Sequence, residues 1–286
     1  MPAALVTMPL MTDVLVAHDG TDRGDDAVAL ARVLAPDARL VVLHVLTAPS
    51  LPWADRPLRS EAGAASAARL DALRAQLGDD HVVEAVEAPS VAHGLHDAAV
   101  SRDAAMIVLG GGTGGHRLST IADRLLHGSP CSVVVDRGFR PTQLNRIAVA
   151  FNGTPEARAA LQTAEAMAAR SGAKLTLVCV DDIDFSGHPA ARGYADVVEE
   201  QHHDAVRRML DAAAALVQDE VTVEVVLRTT GPISTALAVA ARELQADVLV
   251  CGSRGYGPAR RVLLGSVGHD LLAHADCPVV AVPRPH

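Results

Sequence analysis

Apolar residues in this chain gather into short runs, each followed by a longer stretch in which they recur at helical spacing. Val14–His18, Leu40–Val45, Val82–Glu87, Met106–Leu109 and Ser132–Val135 are such runs, rich in Val and Leu. Their length and β-branched content predict strands. Helical periods lie between them, near 25–35, 61–77, 91–102 and 119–127. The series then starts again. Strands are predicted at Arg146–Phe151, Leu175–Val180, Val221–Arg228, Val248–Cys251 and Val279–Val282, and helices near 155–171, 195–217, 232–244 and 266–275. Thr154 can cap the first of these helices, Pro155 fits its first turn and Gly172 its end. Runs without polar alternation suit strands covered on both faces, and helical crossovers make such strands parallel.

The two series match turn for turn, so the chain reads as a duplication. Asp19-Gly20-Thr21 corresponds to Asn152-Gly153-Thr154, and His44-Val45 to Cys179-Val180. The offset grows from 133 residues at the first turn (Asp19 to Asn152) to 146 at the cysteines (Cys131 to Cys277), as small insertions in the second copy require. Residues 137–145 carry Gly, Pro and charge without an apolar period and form the natural linker. The expected architecture is α/β: two tandem five-stranded parallel-sheet sandwich domains, over 1–138 and 144–286, each with right-handed crossovers.

Composition narrows the function. Aromatic residues are only 2% of the chain, so the core is aliphatic. The formal charge is −9, Lys174 is the sole lysine and the arginines are scattered, which argues against a nucleic-acid partner. Cys131, Cys179, Cys251 and Cys277 form no C-x-x-C pair, and three of them lie in or beside apolar runs, so they read as buried free thiols of a reducing compartment. Residues 1–16 carry no basic side chain and Asp13 interrupts them, so no signal peptide is expected; no apolar run approaches bilayer length. A cytoplasmic protein without membrane insertion is the expectation.

The chemistry concentrates after the fourth strand of the second copy. Gly252 and Gly255 frame Ser253-Arg254, and after nine intervening residues Gly265-Ser266 opens an apolar helical segment. Glycines let main chain approach an anion, and successive N–H groups can form a nest. The helix that Ser266 is expected to cap would add free N–H donors and a positive dipole end. This is a layout for holding phosphates. In parallel sheets a ligand sits beyond the carboxyl ends of the strands. The 152–154 turn, Val180 and Gly252 all lie at such ends.

The motif G-x-x-G, nine residues, G-S, followed by His274-Ala-Asp-Cys-Pro-Val-Val280, resembles the universal stress protein family in its ATP-binding form. The resemblance covers nearly the whole chain as two fused copies. It implies that Gly252, Ser253, Arg254 and Gly255 wrap the phosphates and that Gly265, Ser266 and Val267 complete the cradle. It also implies that the backbone of Val180 faces the adenine, beside Asn152 and Gly153. Asn152 departs from the pattern, which has Asp there; Asn keeps an acceptor but loses the charge. The implied cofactor is ATP, with or without Mg. The first copy keeps Asp19 and Val45, but its loop reads Gly110-Gly-Gly112-Thr-Gly-Gly115, with Ser119-Thr120 arriving four residues early, so the weaker site is expected there. Partners implied are an adenine nucleotide, a second tandem chain forming a homodimer, and a protein that reads the loop.

Other readings weigh less. Gly110-x-Gly112-x-x-Gly115 with Asp136 also fits a dinucleotide fingerprint, but that motif opens a fold rather than following a fourth strand. His202 and His203 are adjacent and expected to point to different helix faces, His269 and His274 are five apart and poorly placed for one face, and His93 and His96, with Asp97 nearby, lack a third spaced ligand, so no metal site is assigned. No nucleophile-elbow motif is present and no general base stands near the loop, so no catalytic residue is named and slow ATP hydrolysis stays open. The competing function is a nucleotide-free pseudo-dimeric scaffold of the same fold.

Overall fold

The computed structural model describes residues 12–47, 56–111, 120–138, 141–181, 195–218, 220–228, 231–253 and 265–283. In the first copy β1 (Asp13–Ala17), β2 (Arg39–Thr47), β3 (Val82–Ala88), β4 (Met106–Leu109) and β5 (Ser132–Val135) alternate with α1 (Asp22–Leu34), α2 (Arg56–Leu77), α3 (Val91–Arg102) and α4 (Thr120–Leu126). In the second, β6 (Arg146–Ala150), β7 (Lys174–Val180), β8 (Val223–Arg228), β9 (Val248–Gly252) and β10 (Val279–Val282) alternate with α5 (Pro155–Ser171), α6 (Ala195–Ala214), α7 (Ile233–Glu243) and α8 (Ser266–His274). All ten expected strands form. Thr154 caps α5 by accepting from the Ala157 N–H at 3.2 Å, and Gly172 ends it in the left-handed region at φ 72°.

Within each copy the strands are parallel, but the two sheets do not stay separate. They join into one ten-stranded sheet in the order β3-β2-β1-β4-β5-β10-β9-β6-β7-β8. The join is antiparallel: Val133, Val134 and Val135 of β5 face Ala281, Val280 and Val279 of β10. Two edge strands that would otherwise expose unpaired amides thus satisfy each other.

Side chains alternate across this sheet into two cores. Val14 and Val16 of β1 pack toward α1, α2, α5 and α6, while Leu15 packs toward α3, α4, α7 and α8. The result is a three-layer α/β/α fold. Asp13, at the amino end of β1, is buried and held bidentately by Arg39 at 2.6 and 2.8 Å, so this end of the strand is a structural ion pair.

The four cysteines are free and buried, as the sequence suggests. Burial pushes the thiols of Cys131, Cys251 and Cys277 up to about 12 and that of Cys179 to about 11. A thiolate is therefore scarce in the folded protein at neutral pH. Alkylation by iodoacetamide at pH 8 is expected to be slow in buffer and complete in denaturant. The unfolded chain releases these protons near pH 8.5–9. Stability attributable to the thiols is thus retained below that pH and declines as pH rises toward 11–12. Fast labelling of the native protein would contradict this burial.

Candidate functional site

The strand order reverses between β1 and β4 in the first copy and between β6 and β9 in the second, so a crevice is expected beyond their carboxyl ends. Both first turns are built alike. In the second copy Asn152 Oδ1 accepts from the Thr154 amide at 3.3 Å and its hydroxyl at 2.8 Å. In the first, Asp19 Oδ1 accepts from Thr21 in the same way, at 3.0 and 2.5 Å. Asn152 therefore keeps the turn-forming role of an Asp and leaves its amide group to donate. Gly153 sits at φ 78°, a left-handed conformation that favours glycine, and a Cβ there would have to displace the flexible Met209 side chain.

Gly252 ends β9 with no room for a side chain: a Cβ would come within 2.5 Å of the Glu156 carbonyl oxygen in the first turn of α5. Gly110 is in the same state against the Arg23 carbonyl, at 2.1 Å. These glycines bring each fourth strand against the first turn of the helix that follows the first strand. The 152–154 turn and Gly252 are thereby brought together. Ser253 follows, its amide donating to the Val282 carbonyl at 2.9 Å. Its side chain is buried (7% exposed), and its hydroxyl has no hydrogen-bond partner among the described residues. A buried unpaired hydroxyl costs about 1–3 kcal/mol, so an acceptor arriving there is favoured. Val180 ends the neighbouring β7, its side chain packed toward the α7–α8 core.

Two expectations change in this region. Ser266 does not cap α8. Gly265 occupies that position with φ −80° and ψ 174°, makes no side-chain cap bond, and leaves exposed Ser266 as the first helical residue. The first-turn amides of α8, those of Ser266 and Val267 included, have no acceptor within the helix. Arg254 and Gly255 lie outside the described residues, as do Arg260 and Arg261. Nor do His202 and His203 point apart: their Nε2 atoms lie 3.1 and 3.5 Å from buried Asp181 Oδ2, one residue past β7. Imidazoles one residue apart span enough of a helix flank to meet on one carboxylate beneath it. Among the described residues no group of three or more His, Cys, Asp or Glu is arranged to hold a metal ion.

The first copy encloses a cleft of about 300 Å³ lined by Asp19, Val45 and Gly110, as the sequence suggests, and by His18, His44 and Arg23, which it did not single out as site residues. His18 is buried, accepts from the Gly20 amide at 3.0 Å through Nδ1, and pairs through Nε2 with Asp25 at 2.9 Å. This fixes a neutral tautomer with the proton on Nε2. His44 Nδ1 donates to the His18 carbonyl at 2.8 Å. Burial pushes the Asp25 carboxyl up, but hydrogen bonds from Arg69 and His18 outweigh it and hold the pKa below the ordinary value. The available signal was a polar residue, His18, directly after an unbroken apolar strand, with Gly24 inside a helix to make room for it. Gly112, Gly115 and Ser119 lie outside the described residues, and only the backbone of Thr120 is described.

Comparison with known proteins agrees with this fold and duplication. A Staphylococcus aureus (strain USA300) protein named for universal stress proteins is 33% identical over 141 residues, covering 48% of this chain and 82% of its own length. A universal stress protein from Archaeoglobus fulgidus superposes with a TM-score of 0.69 at 18% identity, over 95% of this chain and 98% of its own. A functionally unknown protein, PA1789 from Pseudomonas aeruginosa PAO1, superposes with a TM-score of 0.65 at 17% identity, over 94% and 92%. The model of the universal stress protein family matches residues 11–137 and again 143–283, so the chain belongs to that family and carries it twice in tandem.

Proposed function

We propose that this chain binds ATP in the crevice of its second copy, over 144–286, and uses occupancy of that crevice to signal as a stress-response regulator. The observation that carries this reading is the buried, unpartnered hydroxyl of Ser253. It lies next to a glycine that admits no side chain, at the carboxyl edge of β9. In this reading Gly252, Ser253, Arg254 and Gly255 take the phosphates by amide and side chain. Gly265, Ser266 and Val267 add the amides of α8, where a helix N-terminus favours an anion. Asn152, Gly153 and the main chain of Val180 flank the nucleoside.

Mg is assigned no protein ligand. Asn152 offers a neutral oxygen that already accepts from Thr154, so a metal ion would arrive carried by the phosphates, as Mg usually does. The first copy, over 1–138, is the weaker site, because its loop spacing through Gly112, Gly115, Ser119 and Thr120 is short. Binding only to the ordered crevice would stabilise that state and present the 253–264 loop to a protein partner.

Purified protein titrated calorimetrically with ATP is expected to bind saturably, with adenine nucleotide co-purifying by mass spectrometry. Exchange of Gly265 and Ser266 for bulkier or hydroxyl-free residues weakens that binding sharply. Equal binding by wild type and the double variant would remove the site.

The scaffold reading keeps one specific support: β5 and β10 already pair inside the chain, so the chain is its own pseudo-dimer. A homodimer of tandem chains must then use another surface. Light scattering distinguishes one tandem chain from two. No helix among the described residues is long and apolar enough to cross a membrane.

A further inference from the structure

A second, larger cavity lies apart from the residues assigned to the crevice, coming nearest to them at Val282. It has a volume of about 740 Å³ and runs between α1 and α5 over the junction of the two copies. Leu34, Ala35 and Ala38 form one wall and Ala159, Ala166 and Met167 the other; Val14, Met106 and Val282 line it from the sheet. The polar residues among these aliphatic walls are Thr12, Asp37, Ser132, Gln162, Thr163 and Arg170. An open apolar groove of this size on a monomer marks a contact surface.

We infer that this groove is the docking site of the chain's own residues 1–11. Three observations select this occupant. First, Thr12, the residue that follows the segment, itself lines the groove, so the segment is tethered at the rim and its local concentration is high. Second, residues 1–11 (Met-Pro-Ala-Ala-Leu-Val-Thr-Met-Pro-Leu-Met) carry no ionisable side chain in a chain of formal charge −9, which matches an aliphatic lining. Third, reach suffices: at about 3.3–3.6 Å per residue such a segment extends at most roughly 36–40 Å, enough to follow a groove between two helices. The groove is lined by both copies, so the docked segment would also brace the antiparallel join of β5 and β10.

The test uses a thiol placed in the groove. The four native thiols are buried and pushed up by burial, so they stay silent. Ala166→Cys, on α5, is labelled with a maleimide in the full-length chain, in a version lacking residues 2–11, and in full-length L5D/L10D. Removal or L5D/L10D is expected to accelerate labelling at least tenfold, and a synthetic peptide of residues 1–11 added in trans restores protection. Circular dichroism confirms folding of each; L5D/L10D keeps the test decisive if the shortened chain does not fold. Labelling rates equal within twofold in all versions would overturn the proposal. So would protection that survives removal and grows with protein concentration, which assigns the groove to a second copy. Calorimetry with ATP on the same samples reports the nucleotide site separately, so failure of one reading is not failure of the other.

Discussion

Replacing Ser253 by alanine is expected to weaken ATP binding about tenfold or more while leaving the unliganded protein at least as stable as before. The two effects have one cause. Without ligand the hydroxyl is buried and has no partner among the described residues, so deleting it removes a penalty of about 1–3 kcal/mol. With a phosphate present the same hydroxyl donates to a charged oxygen, a bond worth about 1.5–3 kcal/mol, or roughly one to two decades of affinity. Calorimetric titration and a thermal melt on the same samples read both. A melt that falls while affinity stays constant would make Ser253 a structural residue.

Valine at Gly252 or Gly110 forms the second pair of variants. Each added Cβ meets main chain, the Glu156 carbonyl oxygen at 2.5 Å or the Arg23 carbonyl oxygen at 2.1 Å, and main chain in the first turn of a helix cannot swing aside. Overpacking of this kind costs about 1–3 kcal/mol, and the melting midpoint is expected to drop by roughly 3–10 °C in both variants. Their binding should differ. Gly252→Val pushes the fourth strand of the second copy away from the turn at Asn152 and should abolish measurable ATP binding. Gly110→Val disturbs only the first copy and should leave most of it. Loss of binding in Gly110→Val alone would move the principal site to the first copy, where the histidine-lined cleft lies.

Much of this molecule was legible in the order of residues, and the exceptions have physical reasons. Strands such as Val248–Gly252 are unbroken apolar runs between turn residues, and no helix fits their length. The duplication was legible because Asp19-Gly20-Thr21 and Asn152-Gly153-Thr154 place the same Asx turn before the same helix. The join of the two sheets was not. Ser132–Val135 and Val279–Val282 look like any buried strands, and nothing local says that their free edges meet each other. The cap of α8 was misread because Gly265 and Ser266 are both acceptable caps, and only backbone geometry separates them. His202 and His203 were misread because helix-face reasoning places Cβ atoms, while imidazoles reach beyond them to Asp181. The proposed phosphate cradle rests on a spacing of glycines, of which Gly252 and Gly265 lie among the described residues. What spacing could not reveal was that Ser253 is buried with its hydroxyl unpaired, because that depends on β10 passing alongside.

Hydrogen–deuterium exchange with and without saturating ATP reads the proposed contacts amide by amide. Slowed exchange confined to 252–255 and 265–268, with 110–115 unchanged, is the outcome required of main-chain donors gripping a triphosphate in the carboxy-terminal half. Unchanged exchange there under conditions where ATP is bound, or slowing only around 19–24 and 109–111, would contradict it.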